Sequence, residues 1–254
     1  MSRLRLSAQN MRFSMRYCRK TSVIINPAAT APASISRHPR ASVKFNAYLA
    51  LLDMPLKLIG VGGQMRMGKD TLGDLISAQT GLQKEAFSKE VKNLARQLFR
   101  VENIDDWKLC PEHPPGMIVP MRQALQCIGD GMRQISPTVW IDLAMQNHPT
   151  GIYCDVRYAN EAQTIRQNGG ILILIGRTGR LNDDFNPSET QFRPLIRWFL
   201  EHTSESLVHI ASIDNAPQGA HLFDWFVRND GTIEDLREIS EKIITIEEAE
   251  QSSA

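Results

Sequence analysis

The sequence has few cysteines and no long apolar run. Its four cysteines are scattered along 254 residues without the spacing of metal ligands, a pattern typical of free thiols in a reducing compartment. No uncharged apolar run reaches the length needed to cross a bilayer, so we expect neither a transmembrane helix nor a membrane partner. Hydrophobic residues make up 42% of the chain and charged residues 22%, which is the ordinary balance of a globular protein.

Acidic residues are nearly absent from one part of the chain. Residues 1–53 hold nine Lys or Arg and a single acid, Asp53, whereas the remainder holds 20 basic and 27 acidic residues. This Arg-, Ser-, Ala- and Pro-rich composition is typical of an organellar transit peptide and also of a nucleic-acid-binding arm. A third interpretation is that the protein begins at Met54. In each case we expect residues 1–53 to be a poorly ordered basic extension, and residues 54–254 to be the catalytic domain.

A glycine-rich loop follows the first apolar segment of that domain. Residues 63–69, GQMRMGK, match the pattern G-x-x-x-x-G-K. The apolar residues before the loop predict a buried strand, and those after it recur at helical spacing as far as Gly81, a natural helix end. In this arrangement the loop amides and the helix N-terminus face phosphate groups, and Lys69 reaches their outer oxygens. The loop therefore predicts a nucleotide site.

Asp70 stands where the usual phosphate loop has Ser or Thr. A carboxylate suits the first turn of a helix, where the helix dipole is positive, and it could bind Mg²⁺ through water. Thr71, the next residue, can offer its hydroxyl to a phosphate. The loop is therefore still expected to work as a phosphate site.

A second buried strand ends in Asp155. The carboxyl ends of parallel strands are where α/β sheets bind ligands, and in phosphate-loop enzymes an acid at this place holds Mg²⁺ or its water shell. Arg157 follows two residues later and would reach the same crevice. These two residues predict a metal and phosphate site beside the loop.

The remaining pattern predicts the architecture. Strands and helices alternate around a helix-rich insert, which implies an α/β fold with one doubly wound, mostly parallel sheet of about five strands. The insert spans about 88–149 and starts with Ser88 as a possible helix cap. It contains a helical break either near Gly129–Gly131 or at Ser136–Pro137. The loop at about 177–197 is long enough to act as a lid.

Capping residues mark the start of the last helix, at Thr232 and Asp235. Arg122 and Arg133 lie on amphipathic helices of the insert and, judged from the residues alone, are best interpreted as solvated arginines.

Five segments occur in an order that we recognise: "GKDT", "MRQALQCIGDGMRQ…VW", "CDVRYANEAQTIRQNGG", "HTSES" and "WFVRNDGTIEDL". Together they resemble the phage deoxynucleoside monophosphate kinase family of P-loop nucleotide kinases, over about residues 56–241. The resemblance implies ATP-dependent phosphorylation of deoxynucleoside monophosphates to diphosphates for DNA synthesis. It also implies Mg²⁺, a helical acceptor-binding insert and a lid. The segment "IASIDNAPQGA" is longer than the family pattern.

The resemblance further implies roles for single residues. Catalytic contacts would come from Lys69, Arg157, Arg177 and Arg180. The donor nucleotide would be bound by Gly63, Arg66, Gly68, Lys69, Asp70, Thr71 and Asn229. The acceptor would be bound by Arg122, Asp130, Arg133, Trp140 and Glu205, which reverses the interpretation of the two arginines as merely solvated. Asp70 and Asp155 would hold the metal.

Two alternatives stay open. Animal-type phosphomevalonate kinases share a "SGKD" loop and a "DVR" motif, although the fuller match to "NEA…GG" and "NDGTIEDL" argues against them. The second alternative is a nucleotide-binding ATPase module without kinase activity, with the basic N-terminus as its arm. For the kinase, the expected partners are ATP and a deoxynucleoside monophosphate, without nucleic acid, and a homodimer is left open. We expect it in the cytoplasm, of a phage-infected host cell, or in an organelle if residues 1–53 direct import.

Overall fold

A computed structural model describes residues 56–110, 112, 114, 116–181 and 187–252, without the side chains of residues 109, 187, 188 and 252. The predicted extension, residues 1–53, lies outside these residues, as do residues 182–186 of the predicted lid. Within the described part of the chain, no helix is both long and apolar enough to cross a membrane.

One mixed sheet organises the described residues. Its six strands are β1 (Leu58–Gly62), β2 (Lys84–Glu85), β3 (Gly151–Val156), β4 (Ile171–Gly176), β5 (Leu207–His209) and β6 (Trp225–Arg228). Their order across the sheet is β2-β3-β1-β4-β6-β5. All neighbours pair in parallel except β5, which runs antiparallel to β6. The predicted mostly parallel sheet is confirmed, with one more strand than the approximately five that the sequence suggested.

Helices connect the strands and build the insert. They are α1 (Lys69–Thr80), α2 (Ser88–Phe99), α3 (Ile104–Leu109), α4 (Met121–Ile135), α5 (Val139–Asn147), α6 (Ala159–Gln167), α7 (Pro187–Thr190), α8 (Arg193–His202) and α9 (Ile233–Ser252). Two short 3₁₀ helices, Ile210–Ser212 and Ala220–Leu222, lie between β5 and β6.

Apolar side chains cover the sheet on both faces, so the doubly wound prediction is also confirmed. On one face, Ile59 and Val61 pack with residues of α1 and α9, such as Ile76 and Ile243. On the other face, side chains of β3, β4 and β6 pack with residues of α5, α6 and α8. Strands buried on both faces read as continuous apolar runs, which is why β1 and β4 were recognisable from the sequence.

The helical insert has a small core of its own. Ala95 of α2, Ile104 of α3 and Met121 of α4 belong to one buried cluster. Helix α4 runs without interruption through both of its glycines and ends at Ser136, whose N–H donates to the Met132 carbonyl at 2.9 Å. Of the two predicted breaks, the one at Ser136–Pro137 is therefore correct, because a proline disfavours helical backbone in the residue before it.

The helix ends follow the predicted caps in two cases out of three. Gly81 ends α1 with φ of 72°, and its N–H donates to the Ser77 carbonyl. Before α9, Thr232 N–H donates to Asp235 Oδ2 at 2.7 Å and Asp235 N–H donates to Thr232 Oγ1 at 3.2 Å. The Ser88 prediction is wrong, because α2 is capped by a carboxylate from β3 and not by the Ser88 hydroxyl.

Candidate functional site

The glycine-rich loop joins the carboxyl end of β1 to the start of α1, and its backbone requires glycine. Gly63 has φ of 151°, and a Cβ there would lie 2.6 Å from the Ile175 carbonyl oxygen. Gly68 has φ of 101°, and a Cβ there would lie 2.2 Å from Nδ2 of Asn229. The same Nδ2 donates to the Met67 carbonyl at 2.9 Å. Asn229 therefore braces the loop from the end of β6.

Lys69 is the first residue of α1 and is 7% exposed. Its Nζ donates to the Gln64 carbonyl at 2.6 Å, across the loop. The pKa of the Lys69 ammonium is lowered to about 8, first by burial and then by the positive charge of Arg157, against the opposing effect of Glu189 and the nearby aspartates. The lysine therefore lies within electrostatic reach of charged residues from β3 and from the predicted lid.

Two cavities lie at the carboxyl ends of the strands, and Lys69 lines one of them. The loop cavity is lined by Lys69 and α1 on one side and by the segment between β6 and α9 on the other. Seven of its lining residues were predicted from the sequence: Arg66, Gly68, Lys69, Asp70, Thr71, Arg177 and Asn229. Asp70 and Thr71 are exposed in the first turn of α1. The structure thus brings together nearly all of the residues expected to bind the donor nucleotide.

The insert cavity lies between the sheet edge and helices α2, α3 and α4. Five of its lining residues were predicted, namely Arg122, Asp130, Arg133, Asp155 and Arg157. Seven further charged or polar lining residues were not predicted as site residues: Ser88, Lys92, Lys108, Gln126, Tyr158, Glu161 and Glu189. The cavity is therefore lined by five cationic and four acidic side chains, and the cations could neutralise an anionic ligand.

Lys108 lies within electrostatic reach of three other cations. Burial lowers the pKa of its ammonium, and the positive charges of Lys92, Arg157 and Arg122 lower it further, with Asp105 opposing them. Lys92 itself donates to Asp105 Oδ1 at 2.6 Å. Crowded cations of this kind are stabilised when a phosphate binds among them.

Asp155 is the penultimate residue of β3 and lines the insert cavity. Its Oδ1 accepts the Phe87 N–H at 2.8 Å and its Oδ2 accepts the Ser88 N–H at 2.9 Å. The carboxylate thus stabilises the N-terminus of α2, where negative charge is favourable. Each oxygen keeps a further lone pair that can accept a second partner.

Glu189 of α7 connects the predicted lid to the loop. Glu189 is 6% exposed, and its carboxylate pairs with the guanidinium of Arg157. Its Oε2 accepts the Met65 N–H at 2.8 Å, and its carbonyl accepts from the Gln64 side-chain amide at 2.8 Å. The Glu189 carboxylate therefore binds the Met65 N–H of the loop and the Arg157 guanidinium. Without it, we would expect both groups to contact a phosphate.

Glu161 is buried behind Arg157 at the start of α6. The pKa of its carboxyl is raised to about 7, first by burial and then by the charge of Asp155, against the backbone N–H groups of Arg157 and Tyr158 and the charge of Arg133. The Arg133 guanidinium lies over the Tyr158 ring, with Cζ 4.6 Å from the ring centroid. Arg133, Tyr158 and Glu161 thus form one contact group on the wall of the insert cavity.

Four predicted residues line neither cavity: Gly63, which lies within the loop itself, Trp140, Glu205 and Arg180. Trp140 is 2% exposed, and its indole N–H donates to the Gly129 carbonyl at 3.0 Å, so it packs behind the insert cavity and fixes α4 against α5. Glu205 is exposed in the segment before β5. Arg180 is exposed in a turn in which its N–H donates to the Arg177 carbonyl at 3.2 Å.

The residues missed by the sequence analysis carried weak signals. Lys92 and Lys108 are charges on amphipathic helices, a pattern that ordinary solvated faces share. Glu161 stands three residues after Tyr158, the spacing of a capping box, but that motif is recognised from Ser or Thr at the N-cap and not from tyrosine. Glu189 lies in the four-residue helix α7, which carries no motif.

The oxygen-bearing side chains at the two cavities fit a hydrated Mg²⁺. Mg²⁺ prefers oxygen ligands and is commonly held by one or two carboxylates together with substrate phosphates and water. Asp70 lines the loop cavity and Asp155 lines the insert cavity. Among the residues that the structure describes, no group of three or more His, Cys, Asp or Glu could hold a metal by itself. A Mg²⁺ here would therefore depend on phosphate oxygens of the nucleotide.

Comparison with known proteins gives one relative by sequence. No protein-family model matches the chain. The chain is 28% identical, over 190 residues, to a protein of Acanthamoeba polyphaga mimivirus described as "Putative deoxynucleotide monophosphate kinase". The match covers 63% of this chain and 98% of the mimivirus protein.

Among solved structures, shikimate kinase from Acinetobacter baumannii in complex with shikimate matches with a TM-score of 0.38 and 12% sequence identity. This match covers 76% of the present chain and 93% of the shikimate kinase chain. This similarity is too low to support a fold or a function for the present chain. The fold is assigned from the sheet and the phosphate loop of this chain. The sequence match to the mimivirus protein supports a kinase of the P-loop type, and the phage family stays a prediction.

Proposed function

We infer that the protein is a Mg²⁺-dependent kinase that transfers one phosphoryl group from ATP to a deoxynucleoside monophosphate. The observation that carries this inference is the pair of cavities at the carboxyl ends of the strands, one lined by Lys69 and the phosphate loop and the other by cations of the helical insert. The description of the mimivirus relative as a deoxynucleotide monophosphate kinase supports the same acceptor class.

The arrangement suits phosphoryl transfer because that reaction needs positioning and charge neutralisation more than covalent help. In the loop cavity, Lys69 and the backbone amides of the loop would hold the donor phosphates. In the insert cavity, Lys92, Lys108 and Arg122 would hold the acceptor phosphate. Arg157 would contact the transferring group, because a guanidinium fork matches two phosphate oxygens.

Mg²⁺, when bound, would neutralise charge on the donor phosphates, and Asp70 and Asp155 would orient its water shell. Arg177 lines the loop cavity and would add a second guanidinium on the donor side. Closing the predicted lid over both ligands would exclude water, so that transfer to the acceptor competes successfully with hydrolysis.

An acceptor panel tests the proposal. The full chain with ATP and Mg²⁺ would be offered the four deoxynucleoside monophosphates, the ribonucleoside monophosphates, mevalonate phosphate, DNA and water alone, with ADP release as the readout. We expect ADP release that depends on a deoxynucleoside monophosphate and is abolished in the Lys69→Ala variant. Turnover with mevalonate phosphate would favour the small-molecule kinase alternative. ADP release without any acceptor, or stimulated by DNA alone, would favour the ATPase alternative.

A further inference from the structure

Glu161 presents a buried carboxylate whose two oxygens have separate partners. Oε2 accepts the backbone N–H groups of Arg157 at 2.7 Å and of Tyr158 at 3.0 Å. Oε1 faces Nη2 of Arg133 at 3.7 Å. One oxygen thus fixes the turn that follows β3 and carries Arg157, while the other faces a guanidinium on the wall of the insert cavity.

Arg133 is held in place by three groups. Besides Glu161, its Nη1 lies 3.6 Å from Oδ1 of Asp130, and its Cζ lies 4.6 Å from the centroid of the Tyr158 ring. The side chain of Asp130 is 51% exposed, whereas that of Glu161 is 3% exposed. Attraction to a buried charge is screened less by water and salt than attraction to an exposed one. Glu161 therefore has the larger influence on where the guanidinium lies.

We propose that Glu161 is a positioning residue for acceptor binding, which holds Arg133 against the wall of the insert cavity so that its remaining N–H groups face the acceptor. The inference rests on the proposed function, since it takes the insert cavity as the acceptor site. Glu161 acts through Arg133, whereas the donor side of the reaction does not depend on it.

Because the two oxygens of Glu161 have different partners, one substitution can remove the contact with Arg133 and keep the contacts with the backbone. In Glu161→Gln, the side-chain carbonyl oxygen can still accept both backbone N–H groups, so the turn before α6 is kept. The amide NH₂ then replaces the oxygen that faces Arg133. A hydrogen-bond donor cannot attract a guanidinium, and Arg133 loses its buried anchor.

The experiment measures steady-state kinetics of the full chain with ATP and the deoxynucleoside monophosphate that the wild-type protein uses best. We expect Glu161→Gln to raise the KM for that acceptor about tenfold, with the KM for ATP within about twofold of wild type. Arg133→Met should raise the acceptor KM as well, and the double variant should equal Arg133→Met alone, because residues that act as a unit are not additive. Thermal melting reports whether each variant is folded.

Glu247→Gln is the matched control. Glu247 is also a buried glutamate, 8% exposed, and it accepts the indole N–H of Trp225 at 2.6 Å on the face of the sheet that α9 covers. It lines neither cavity, so its kinetics should match those of the wild-type protein.

Several outcomes would overturn the inference. An unchanged acceptor KM in Glu161→Gln does so, and so does an equal rise in the KM for ATP. A double variant whose KM is the product of the two single effects shows that Glu161 does not act through Arg133. If Glu161→Gln fails to fold, Arg133→Lys carries the test, because it keeps the charge but loses the planar fork; an acceptor KM equal to wild type then overturns the inference. A wild-type protein that phosphorylates no monophosphate overturns both the proposed function and this inference. If the wild-type protein is active, a negative result with the variants overturns only the role of Glu161.

Discussion

Lys69 lines the loop cavity, and its ionisation state should limit activity at alkaline pH. Burial brings the pKa of its ammonium to about 8, well below that of a solvated lysine. Below this pH the ammonium is charged and can neutralise a donor phosphate. Above it the neutral amine cannot do so.

We therefore expect kcat/KM for ATP to fall as the pH rises through about 8, because kcat/KM reports the ionisation of the free enzyme. A guanidinium remains charged far above this range. Lys69→Arg should therefore show a flat profile over the same interval, even at a lower rate. Lys69→Ala should lower kcat by about 10²–10³, as the loss of a preorganised charge contact typically does. The pH dependence of kcat/KM for the three proteins is the measurement, and an identical alkaline fall in Lys69→Arg would assign the ionisation to another group.

At the scale of single residues, the sequence predicted the site residues that belong to a motif with a defined role. Lys69, Gly63 and Gly68 belong to a pattern in which both the spacing and the backbone conformation are fixed by phosphate binding. Trp140 was predicted as an acceptor contact, but the structure places its side chain behind the insert cavity. A residue type and its place in a helix do not determine which side of a small core the side chain faces. Glu205 was likewise carried over from a short motif whose surroundings the sequence does not define.

At the scale of elements, helix α2 depends on a carboxylate from another element. Both oxygens of Asp155 accept backbone N–H groups at its start. Asp155→Asn leaves one oxygen and places a donor opposite the second N–H, so we expect the free energy of unfolding to fall by about 1–3 kcal/mol. Urea unfolding of the wild-type and variant proteins measures this loss.

Asp142→Asn is a suitable control, because Asp142 is an exposed aspartate in the first turn of α5 that accepts from the Thr138 hydroxyl. Its unfolding free energy should change by less than about 0.5 kcal/mol. A Mg²⁺ titration of the rate, made on the same proteins, separates the two roles of Asp155. A higher Mg²⁺ requirement in Asp155→Asn indicates a metal contact, and an unchanged requirement leaves only the helix cap.

Helix α7 is attached to the phosphate loop through one carboxylate. In Glu189→Gln, the charge that pairs with Arg157 and accepts the Met65 N–H is lost. We expect lower thermal stability without ligand, by about 1–3 kcal/mol, together with tighter binding of ATP, since an anion no longer competes for these groups. Calorimetric titration with ATP and thermal melting measure the two changes. Glu201→Gln, an exposed position on α8, should alter neither, and weaker ATP binding by Glu189→Gln would contradict the competition.

A strand or a helix end was predictable from the sequence where neighbouring residues in the chain determine it. Strands β1 and β4 are continuous apolar runs, and the caps of α9 lie within four residues of each other. Strand β5 has three residues and only one of them is buried, so no periodicity distinguished it. Ser88 was chosen as a cap because it stands at the right position, whereas the group that binds there comes from 67 residues away. Contacts between distant segments are what a pattern along the chain cannot supply.

At the scale of the whole molecule, the sheet order places both cavities at one edge. Strand β1 lies between β3 and β4, so the phosphate loop after β1 and Asp155 at the end of β3 are neighbours. This arrangement was predictable, because parallel strands joined by helices expose their carboxyl ends on the same side of the sheet. The cationic wall of the insert cavity was not, since it forms only when α2, α3 and α4 pack together.

Two adjoining cavities predict that one molecule spanning both should bind far better than its two halves. A dinucleoside pentaphosphate that joins adenosine to the accepted deoxynucleoside would place its ends in the loop cavity and the insert cavity. Linking two ligands makes the second contact intramolecular and can raise affinity by about 10²–10⁴. Because ligand binding stabilises the folded state in proportion to the logarithm of concentration over Kd, each tenfold gain adds about 1.4 kcal/mol. We expect the linked compound to raise the melting temperature more than ATP and the monophosphate together.

Variants in each of the two cavities show whether both cavities contribute to binding of the linked compound. Lys69→Ala should weaken binding of the adenosine end, and Arg122→Met, in the insert cavity, should weaken binding of the other end. Either change should reduce the extra rise in melting temperature without removing the response to the ligand that binds the intact cavity. An ATPase without an acceptor pocket has one site, so its melting temperature would respond to the linked compound no more than to ATP. The size of the extra rise therefore distinguishes a two-substrate kinase from a module that only hydrolyses ATP, and it does so without any assay of turnover.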